Sequence, residues 1–456
     1  MSDFLFDEFQ SVSAKQWKQK IQFDLKGADY NKTLLTDTNE GITIKPFYHN
    51  DHFKQLNIPN SQPDFKICQT VFINNEKTAN HLALDALKRG ADSIKFIADK
   101  PFDLKKLFKD LITSQDLQIH FQLQFLDEGF IVELLDKINH KNVFLNIDLI
   151  GNLAKTGNWF FNNKKDHEVL MSLLSRSDKN TGILGVDGSL YQNAGANTVQ
   201  QVAYALAHAN EYLNFIHVNG INSVKKINFN FAIGNNYFFE IAKLRAFRYL
   251  WKLLLQEYDL DIKANIFVQP SLRNKTLYDF NVNMLRTTTE CMSAILGGAN
   301  TISNAAYDEF FHKKNEFGER IARNQLIILK KESSIKNDDF ANGSYYIEEL
   351  TYEIADKALR IFKGIEKSGG FIQQLFEGTI QRKIKENATK EQDQFDKENL
   401  VLLGTNKHPN MDDKMEDNIE LYPFVKTKHQ KTEIQPIISI RLAEKLEKER
   451  LNNESV

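Results

Sequence analysis

The chain has 456 residues, of which 42% are hydrophobic, so it can form one large domain with an appendage or two to three ordinary domains. Its 58 Lys and Arg residues nearly balance its 60 Asp and Glu residues, and the net charge is −2. With no long basic block, the sequence argues against binding to nucleic acid or to an anionic membrane. A neutral protein surface or a small molecule is the expected partner.

Cysteine and histidine spacing argues against a metal or disulfide framework. Cys68 and Cys291 lie far apart and outside any CxxC or Cys/His cluster, and the 11 histidines contain no HExxH motif. The acidic N-terminus has no apolar leader segment, and no run reaches the roughly 18 apolar residues of a membrane span. We therefore expect a soluble, cytoplasmic protein with no metal site and no membrane association.

The first 64 residues are expected to form an N-terminal arm that contacts another subunit. Trp17, Ile21 and Leu25 have helical spacing, and a β-rich stretch follows at 42–48. Residues 1–64 are therefore predicted to pack on another surface.

From residue 65 the sequence alternates between short apolar runs and longer helical patterns. Eight candidate strands occupy residues 67–72, 93–98, 119–125, 143–149, 183–186, 227–233, 265–268 and 301–305. Helical patterns between them include 78–88, 199–213, 238–255 and 285–296. Eight strand–helix repeats predict a (β/α)₈ barrel over residues 65–340, with an open doubly wound sheet as the alternative.

The remaining residues, 341–456, are predicted to form a helical C-terminal extension. Two long charged helices are expected at 348–362 and 371–396, followed by a loop at 406–418. The tail at 440–450 predicts a helix with one apolar stripe, which could finish the domain or dock on a partner.

Phosphate-binding motifs are absent from the sequence, since neither GxGxxG nor GxxxxGK[ST] occurs. The glycine pairs at 297–298 and 369–370 are predicted to end helices. Asp187 and Tyr191, after the strand at 183–186, could form an acid–base pair, although an Asp before Gly is commonly a turn residue. Asn228 and Asn230 give one strand a polar face. Inside a barrel, such a face indicates either a water-filled axis that holds a ligand or a structural layer of hydrogen-bonded side chains.

Several ordered stretches resemble one known family. They are SLYQNAGANTVQQVAYALA (189–207), AIGNNYFFEIAKLRAFRYLW (232–251), LRTTTECMSAILGGANTISNAAYDE (285–309), RIARNQLIIL (320–329) and GSYYIEELTYEIA (343–355), followed by VLLGTNKHPN (401–410). Together they resemble the acyl-CoA-binding barrel of the methylmalonyl-CoA mutase family. The opening WKQKIQFDLKGADYNKTLLTDTNEGITIKPFY resembles the small-subunit form of that family.

The resemblance implies a (β/α)₈ barrel through whose axis the pantetheine arm of coenzyme A runs. It also implies adenosylcobalamin, held on a separate C-terminal domain by an Asp-x-His-x-x-Gly motif. None of the 11 histidines has an Asp two residues before it. We therefore expect no cobalamin-binding domain and no cofactor bound by this chain alone, with adenosylcobalamin supplied by a homologous large subunit in a heterodimer.

The family's catalytic residues fail to carry over at three strand ends. The histidine of its Gly-Tyr-His-Met-Gln-Glu-Ala-Gly-Ala segment falls on Leu190, which has no polar side-chain atom. On the first strand Cys68 replaces an arginine and Thr70 replaces a tyrosine, and residues 270–275 replace Ser-Gly-Trp-Ser-Leu-Thr. These departures predict that no residue of this chain is catalytic, binds the cofactor or binds a metal.

Two other readings stay open at this point. The chain could be an active acyl-CoA mutase barrel that uses a separately encoded cobalamin domain, or a vestigial barrel that still binds coenzyme A. Arg245, Arg248, Arg286 and Glu290 lie in helical patterns and are predicted to form ion pairs on helix surfaces or at a subunit interface rather than to bind phosphate.

Overall fold

A computed structural model describes residues 9–59, 64–111, 116–138, 142–178, 180–333, 335, 340–426 and 430–454. The acidic segment 1–8, predicted to lack a leader, lies outside the described residues, as do residues 60–63 of the predicted arm. No described helix combines the length and the apolar character needed to cross a membrane.

The strands of the described residues fall into a short pair in the arm and a set of eight in the barrel. They are β1 (Thr36–Asp37), β2 (Thr43–Ile44), β3 (Lys66–Phe72), β4 (Ser93–Ala98), β5 (Gln118–Leu123), β6 (Asn142–Ile147), β7 (Thr181–Asp187), β8 (Lys226–Ile233), β9 (Lys263–Pro270) and β10 (Thr301–Ile302).

The α-helices precede, alternate with and follow the barrel strands. They are α1 (Ala14–Asp24), α2 (Tyr30–Leu34), α3 (Glu76–Lys88), α4 (Leu104–Leu107), α5 (Glu128–Lys137), α6 (Leu149–Thr156), α7 (Asn163–Leu174), α8 (Ser189–Asn193), α9 (Thr198–Val218), α10 (Tyr237–Tyr258), α11 (Val282–Leu296), α12 (Glu316–Lys331), α13 (Tyr345–Lys367), α14 (Phe371–Phe376), α15 (Thr379–Asp396) and α16 (Glu444–Glu454).

Strands β3 to β10 are all parallel and close into a barrel in the order β10-β3-β4-β5-β6-β7-β8-β9. The two-residue strand β10 completes the ring by pairing with both β3 and β9. All eight predicted strands are present, with ends that differ by a few residues. The predicted (β/α)₈ barrel is therefore confirmed, and the open sheet is excluded.

Most helices that follow a barrel strand begin at an Asn or Asp whose side-chain oxygen accepts a backbone N–H of the first turn. This cap satisfies one of the four N–H groups that a helix start leaves without a partner. The capping residues are Asn75, Asp103, Asp127, Asp148, Asn162, Asn197 and Asn315.

The main core lies between the barrel and its helices and continues outward into a second helical layer. Phe229 and Phe231 point out of β8 and pack on Phe247 of α10, with ring centroids 4.6 and 5.0 Å apart. Helix α13 packs across both α9 and α10. This cover explains why α9 is buried on nearly all sides, as an all-round apolar helix must be.

Both glycine pairs end helices, as predicted. After α11, Gly298 adopts φ +83° and the Ala299 N–H bonds the Ala294 carbonyl at 3.0 Å. After α13, Gly369 adopts φ +97° and the Gly370 N–H bonds the Ile365 carbonyl at 3.0 Å. Each left-handed residue closes the last helical turn.

The predicted apolar stripe of the tail helix is wrong. The helix runs from Glu444 to Glu454, and its buried residues are Glu444 and Glu447. Their carboxylates accept the backbone N–H groups of Val425 (2.8 Å) and Leu277 (2.7 Å), and Arg441 pairs with Glu447. The helix finishes the fold by satisfying loop backbone groups, which an apolar face could not do.

The arm packs on the outer helix α13. Tyr48 contacts Tyr346 at a centroid distance of 4.8 Å, and Lys45 Nζ lies 2.9 Å from Glu349 Oε1. Helix α1 begins at a Ser13 capping box and stacks Trp17 on Phe47. Several apolar side chains of the arm stay exposed, namely Phe9, Val12, Trp17 and Phe23.

Candidate site at the barrel axis

Polar side chains meet inside the barrel. Gln118 of β5 donates to Thr301 Oγ1 of β10 at 2.8 Å, and Lys95 of β4 donates to Gln269 Oε1 of β9 at 3.1 Å. These strands are not neighbours, so the contacts must cross the axis. Asn228 accepts from Asn265 at 2.6 Å, which favours the hydrogen-bonded layer over a wet axis at this level.

A stack of aromatic rings fills the middle of the axis. Phe144 lies flat against His120, His120 contacts Phe267, and both centroid distances are 4.8 Å. The Nζ atoms of Lys226 and Lys95 lie 4.4 and 5.0 Å from the centroids of the two outer rings. Such cation–π contacts are stronger when they are desolvated.

Strand β7 provides the space for this stack. A Cβ on Gly182 would come within 2.6 Å of Phe144 Cδ1, so glycine is required where the Phe144 ring approaches the backbone. His120, Phe144 and Phe267 are at most 3% exposed. The axis is therefore occupied by the protein's own side chains.

A chain of hydrogen bonds below the stack determines the tautomer of His120. The Lys226 ammonium can only donate, so the Asn142 side-chain atom that lies 2.6 Å from it must be the amide oxygen. The other Asn142 atom is then the amide nitrogen, which donates to Gln118 Oε1. The Gln118 amide nitrogen must therefore donate to His120 Nε2, 2.6 Å away. Burial, followed by the charges of Lys95 and Lys226, lowers the pKa of His120 well below its ordinary value. His120 is thus neutral and carries its proton on Nδ1.

A cavity of about 90 Å³ opens above the stack at the carboxyl end of the strands. Its lining includes Lys95, His120, Asn146, Asp187 and Asn230. In a (β/α)₈ barrel this end is the expected place for a functional site. The volume is well below the roughly 300 Å³ at which ordinary ligand pockets begin.

The positions expected to have lost catalytic chemistry lie at two separate places. Leu190, on α8, is 5% exposed and belongs to the main apolar core. Thr70 lines a different cavity of about 20 Å³, and its Oγ1 lies 2.9 Å from Ser303 Oγ. Cys68 is buried, which raises the pKa of its thiol to about 12. The structure brings none of the three to the cavity above the stack.

Residues 270–275, the third departure, form a buried polar turn after β9. Lys275 Nζ lies 2.8 Å from Glu290 Oε2, and Asn274 donates to Glu290 Oε1 at 2.7 Å. Arg273 pairs with Glu391 of α15 at 2.5 Å. This turn therefore binds the C-terminal extension to the barrel.

Asp187 and Tyr191 do not form the acid–base pair that the sequence allowed. Asp187 Oδ1 accepts from Ser189 Oγ at 2.5 Å and from Asn230 Nδ2 at 2.9 Å. The Tyr191 hydroxyl, fully buried, instead bonds His208 Nδ1 at 2.9 Å. Asp187 thus stabilises the start of α8. This agrees more closely with its expected role as a turn residue before Gly188 than with a catalytic role.

Sequence reasoning missed a buried network centred on Asp148. Its Oδ1 lies 2.8 Å from both His208 Nε2 and the Tyr212 hydroxyl, and its carboxylate also accepts the Gly151 and Asp187 N–H groups. Burial alone would raise the pKa of Asp148, but His208 and the backbone donors outweigh it and lower that pKa. The position of Asp148 directly after an apolar strand could have marked it as a candidate functional residue. Nothing in the sequence spacing shows that it contacts His208 and Tyr212 of α9.

Arg245 and Glu290 form ion pairs, as predicted, but Arg245, Arg248 and Glu290 are buried rather than on a helix surface. Arg245 pairs with Glu348 at 2.5 Å, and both are buried. Arg248 is buried and donates to the Gly298 carbonyl and to Asn300. Arg286 donates to Thr276, Asn283 and the Leu403 carbonyl. The outer layer of helices covers these positions, and periodicity within one helix cannot reveal that cover.

Two histidines of the barrel and its helices are fully buried. His120 and His208 are both 0% exposed, and their rings are held in internal hydrogen bonds or stacks. No group of three or more His, Cys, Asp and Glu among the described residues is arranged to hold a metal ion. His120 and His208 are therefore not placed to coordinate a cobalt ion.

Comparison with known proteins gives one consistent family. The methylmalonyl-CoA mutase family profile matches residues 142–453. The methylmalonyl-CoA mutase small subunit of Porphyromonas gingivalis is 31% identical over 453 residues, which cover 91% of this chain and 73% of that protein.

Two longer relatives match over about half of the chain. The methylmalonyl-CoA mutase of Rhizobium meliloti is 36% identical over 236 residues, covering 49% of this chain and 33% of that protein. The methylmalonyl-CoA mutase large subunit of Streptomyces virginiae is 32% identical over 233 residues, covering 49% and 32%. The matched region is thus about a third of each longer relative.

Proposed function

Because this chain belongs to the methylmalonyl-CoA mutase family, we propose that it is the small, non-catalytic subunit of a heterodimeric, adenosylcobalamin-dependent methylmalonyl-CoA mutase. In this proposal a homologous large subunit holds the cobalamin and interconverts methylmalonyl-CoA and succinyl-CoA. This chain binds that subunit and stabilises it.

The observation that carries the proposal is the filled axis. A pantetheine arm needs an open path along the barrel, and Phe144, His120 and Phe267 stack across that path. Opening it would require three rings that are at most 3% exposed to leave a close-packed interior. Leu190 and Thr70, where the family resemblance places catalytic groups, support the same conclusion.

The partner contact is proposed to include the arm, residues 1–64. Phe9 and Phe23 are 67% and 79% exposed, and Trp17 is 43% exposed. Exposed aromatic residues are common at protein interfaces, and a few of them supply most of the binding energy. A stable heterodimer would bury on the order of 1,600 Å² or more.

Co-expression with the large subunit tests the assembly. We expect the two chains to elute as one species at micromolar concentration and to show mutase activity together. Separate elution would contradict the proposal. Turnover of methylmalonyl-CoA by this chain with only a cobalamin-domain protein and adenosylcobalamin would favour the alternative of an active barrel.

A double variant tests the arm. Val12→Ala with Phe23→Ala should weaken the heterodimer by at least tenfold without lowering the Tm of the isolated chain, because both side chains are mostly exposed. Val218→Ala, at an 81% exposed position on α9, is the matched control and should leave affinity unchanged. Equal effects of the two changes would remove the arm from the interface.

Calorimetry with coenzyme A tests the filled axis. The isolated chain should give no binding heat, and Phe144→Ala with Phe267→Ala should leave kcat of the assembled heterodimer unchanged if it folds. Micromolar binding of coenzyme A to the wild-type chain would contradict the proposal and favour a vestigial ligand-binding barrel.

A further inference from the structure

A cavity of about 480 Å³ lies between the arm and the start of α13. The described residues that line it come from α1, α2, the segment 45–54 and the first turns of α13. Its volume exceeds the roughly 300 Å³ at which ordinary binding pockets begin. The cavity is open to solvent, so the chemistry of its lining, rather than its size, indicates what it receives.

The charged side chains of the lining are mainly positive. The described lysines and carboxylates are Lys15, Lys18, Lys45 and Lys54 against Asp51 and Glu349. Four ammonium groups against two carboxylates leave a surplus of two positive charges. Burial raises the pKa of Tyr48, and the charge of Glu353 adds to that rise, so Glu353 lies near this wall and reduces the surplus to one. The cavity therefore stays positive.

Both lining carboxylates already have partners within this chain. Glu349 Oε1 lies 2.9 Å from Lys45 Nζ, and Asp51 accepts the Ala14 N–H at 2.8 Å. Lys15, Lys18 and Lys54 are exposed and form no ion pair with any residue that the structure describes. These three ammonium groups can therefore pair with carboxylates of another molecule.

The walls of the cavity are aromatic. They are formed by Tyr30, Phe47, Tyr48, Phe53 and Tyr345. Other rings of the chain hold two of them in place, since Phe47 stacks on Trp17 at a centroid distance of 4.4 Å and Tyr48 contacts Tyr346 at 4.8 Å. Aromatic side chains are enriched in the buried centres of protein interfaces. The lining thus suits a protein segment with both apolar and acidic side chains.

Helix α1 connects the cavity to the exposed aromatic residues of the arm. Lys15 and Lys18 line the cavity, while Trp17 and Phe23 of the same helix are exposed. The helix has 11 residues and is therefore about 16 Å long. A protein that covers Trp17 and Phe23 consequently lies beside the opening of the cavity.

We propose that the cavity receives an acidic segment of the large subunit, in which an apolar side chain contacts the rings and carboxylates pair with Lys15, Lys18 and Lys54. This inference rests on the subunit role proposed above and adds the chemistry of the contact. Exposed charges attract an oppositely charged partner over about 10 Å at 0.1 M ionic strength. The lysines therefore act mainly on the rate of association.

Association kinetics of the two full-length chains test the proposal. The association rate constant should fall at least tenfold between about 50 and 500 mM NaCl, because salt screens the attraction. Lys15→Met, Lys18→Met and Lys54→Met together should lower it at least tenfold at about 50 mM NaCl and leave less than a threefold dependence on salt. A rate constant that salt does not change would overturn the proposal.

A second triple variant is the matched control. Lys100→Met, Lys105→Met and Lys109→Met remove the same charge from exposed positions between β4 and β5, on the opposite side of the ring from β8. The association rate constant should then stay within twofold of the wild-type value. Equal effects of the two triple variants would show that net charge alone acts, and would overturn the proposal.

Carbodiimide cross-linking, which joins an ammonium directly to a neighbouring carboxylate, locates the contact. Mass spectrometry of the cross-linked heterodimer should find Lys15, Lys18 or Lys54 joined to an Asp or Glu of the large subunit. A heterodimer that forms without these cross-links would overturn this inference and leave the subunit role standing, whereas two chains that do not associate would overturn both. Cross-links to a second copy of this chain would overturn it in favour of self-association.

Discussion

At the scale of single residues, several charged or titratable side chains lie inside the molecule. His120 and Lys95 are buried and Asp148 is nearly so, and the polar atoms of all three bond partners inside the molecule. A buried ionised group is tolerated only when it is paired and hydrogen-bonded, so removing one member leaves the others without compensation. Substitutions at such residues should therefore cost more than substitutions of similar size on the surface.

Asp148→Ala should destabilise the fold by on the order of 3–5 kcal/mol. The change removes the acceptor for His208, for Tyr212 and for two backbone N–H groups. Asp103→Ala removes the cap of the short helix α4 and a surface ion pair with Lys106, and it should cost much less. Urea denaturation of both variants measures the difference. Similar losses would show that Asp148 acts as a helix cap and nothing more.

Glu366→Gln should stabilise the protein at pH 8 and lose that advantage as the pH falls toward 4. Burial and then the charge of Glu211 raise the pKa of Glu366 to about 7. Between its ordinary pKa and 7 the folded state holds a proton that the unfolded chain has released, so stability falls as pH rises through this window.

The gain should stay below about 1 kcal/mol, because Glu366 is only half-buried and solvent screens its charge. Thermal unfolding at several pH values measures it, with Glu353→Gln on the same helix as the control. A gain that does not depend on pH would contradict the assignment.

At the scale of elements, the C-terminal extension is part of the fold rather than an attachment to it. Helix α13 covers α9 and α10, and Arg273 of the turn after β9 pairs with Glu391 of α15. Two carboxylates of helix α16 accept backbone N–H groups from loops: Glu447 accepts from Leu277, and Glu444 accepts from Val425. Its buried face is polar because its contacts are to loops, whose N–H groups need acceptors.

Glu447→Ala should therefore destabilise the protein by about 3–5 kcal/mol, because it leaves Arg441 buried without its partner and the Leu277 N–H without an acceptor. Glu449→Ala, exposed on the same helix, should change stability by less than about 0.5 kcal/mol. Chemical denaturation compares the two. Equal small effects would mean that α16 is dispensable to the fold.

At the scale of the whole molecule, one continuous apolar core joins the barrel, the helical layers and part of the extension. The ring closes through the two-residue strand β10, yet its neighbours β3 and β9 are long and buried. A shared core of this kind favours cooperative unfolding over separate opening of the seam.

Thiol labelling tests this cooperativity. Burial raises the pKa of Cys68 on β3 to about 12 and raises that of Cys291 on α11, so neither thiol should react in the native state. In denaturant both thiols should label, and near the transition they should label at one common rate. Faster labelling of Cys68 would show that the β10–β3 seam opens first.

Much of the architecture follows from local patterns in the sequence. Eight strands, their alternation with helices and the ends of two helices are set by periodicity and by glycine conformation, which act over a few residues. The family likewise follows from ordered segments read along the chain. Leu190 and Thr70 could be located from the sequence, although their lack of a catalytic role remains a prediction.

Only the tertiary structure decided what fills the axis and what lies under the outer helices. His120, Phe144 and Phe267 come from three strands, and Asp148 meets His208 sixty residues away along the chain. Helix periodicity places Arg245 on a polar face, but it cannot show that α13 covers that face with Glu348. Contacts between distant segments depend on strand order, register and layer packing, and no single segment of the sequence contains that information.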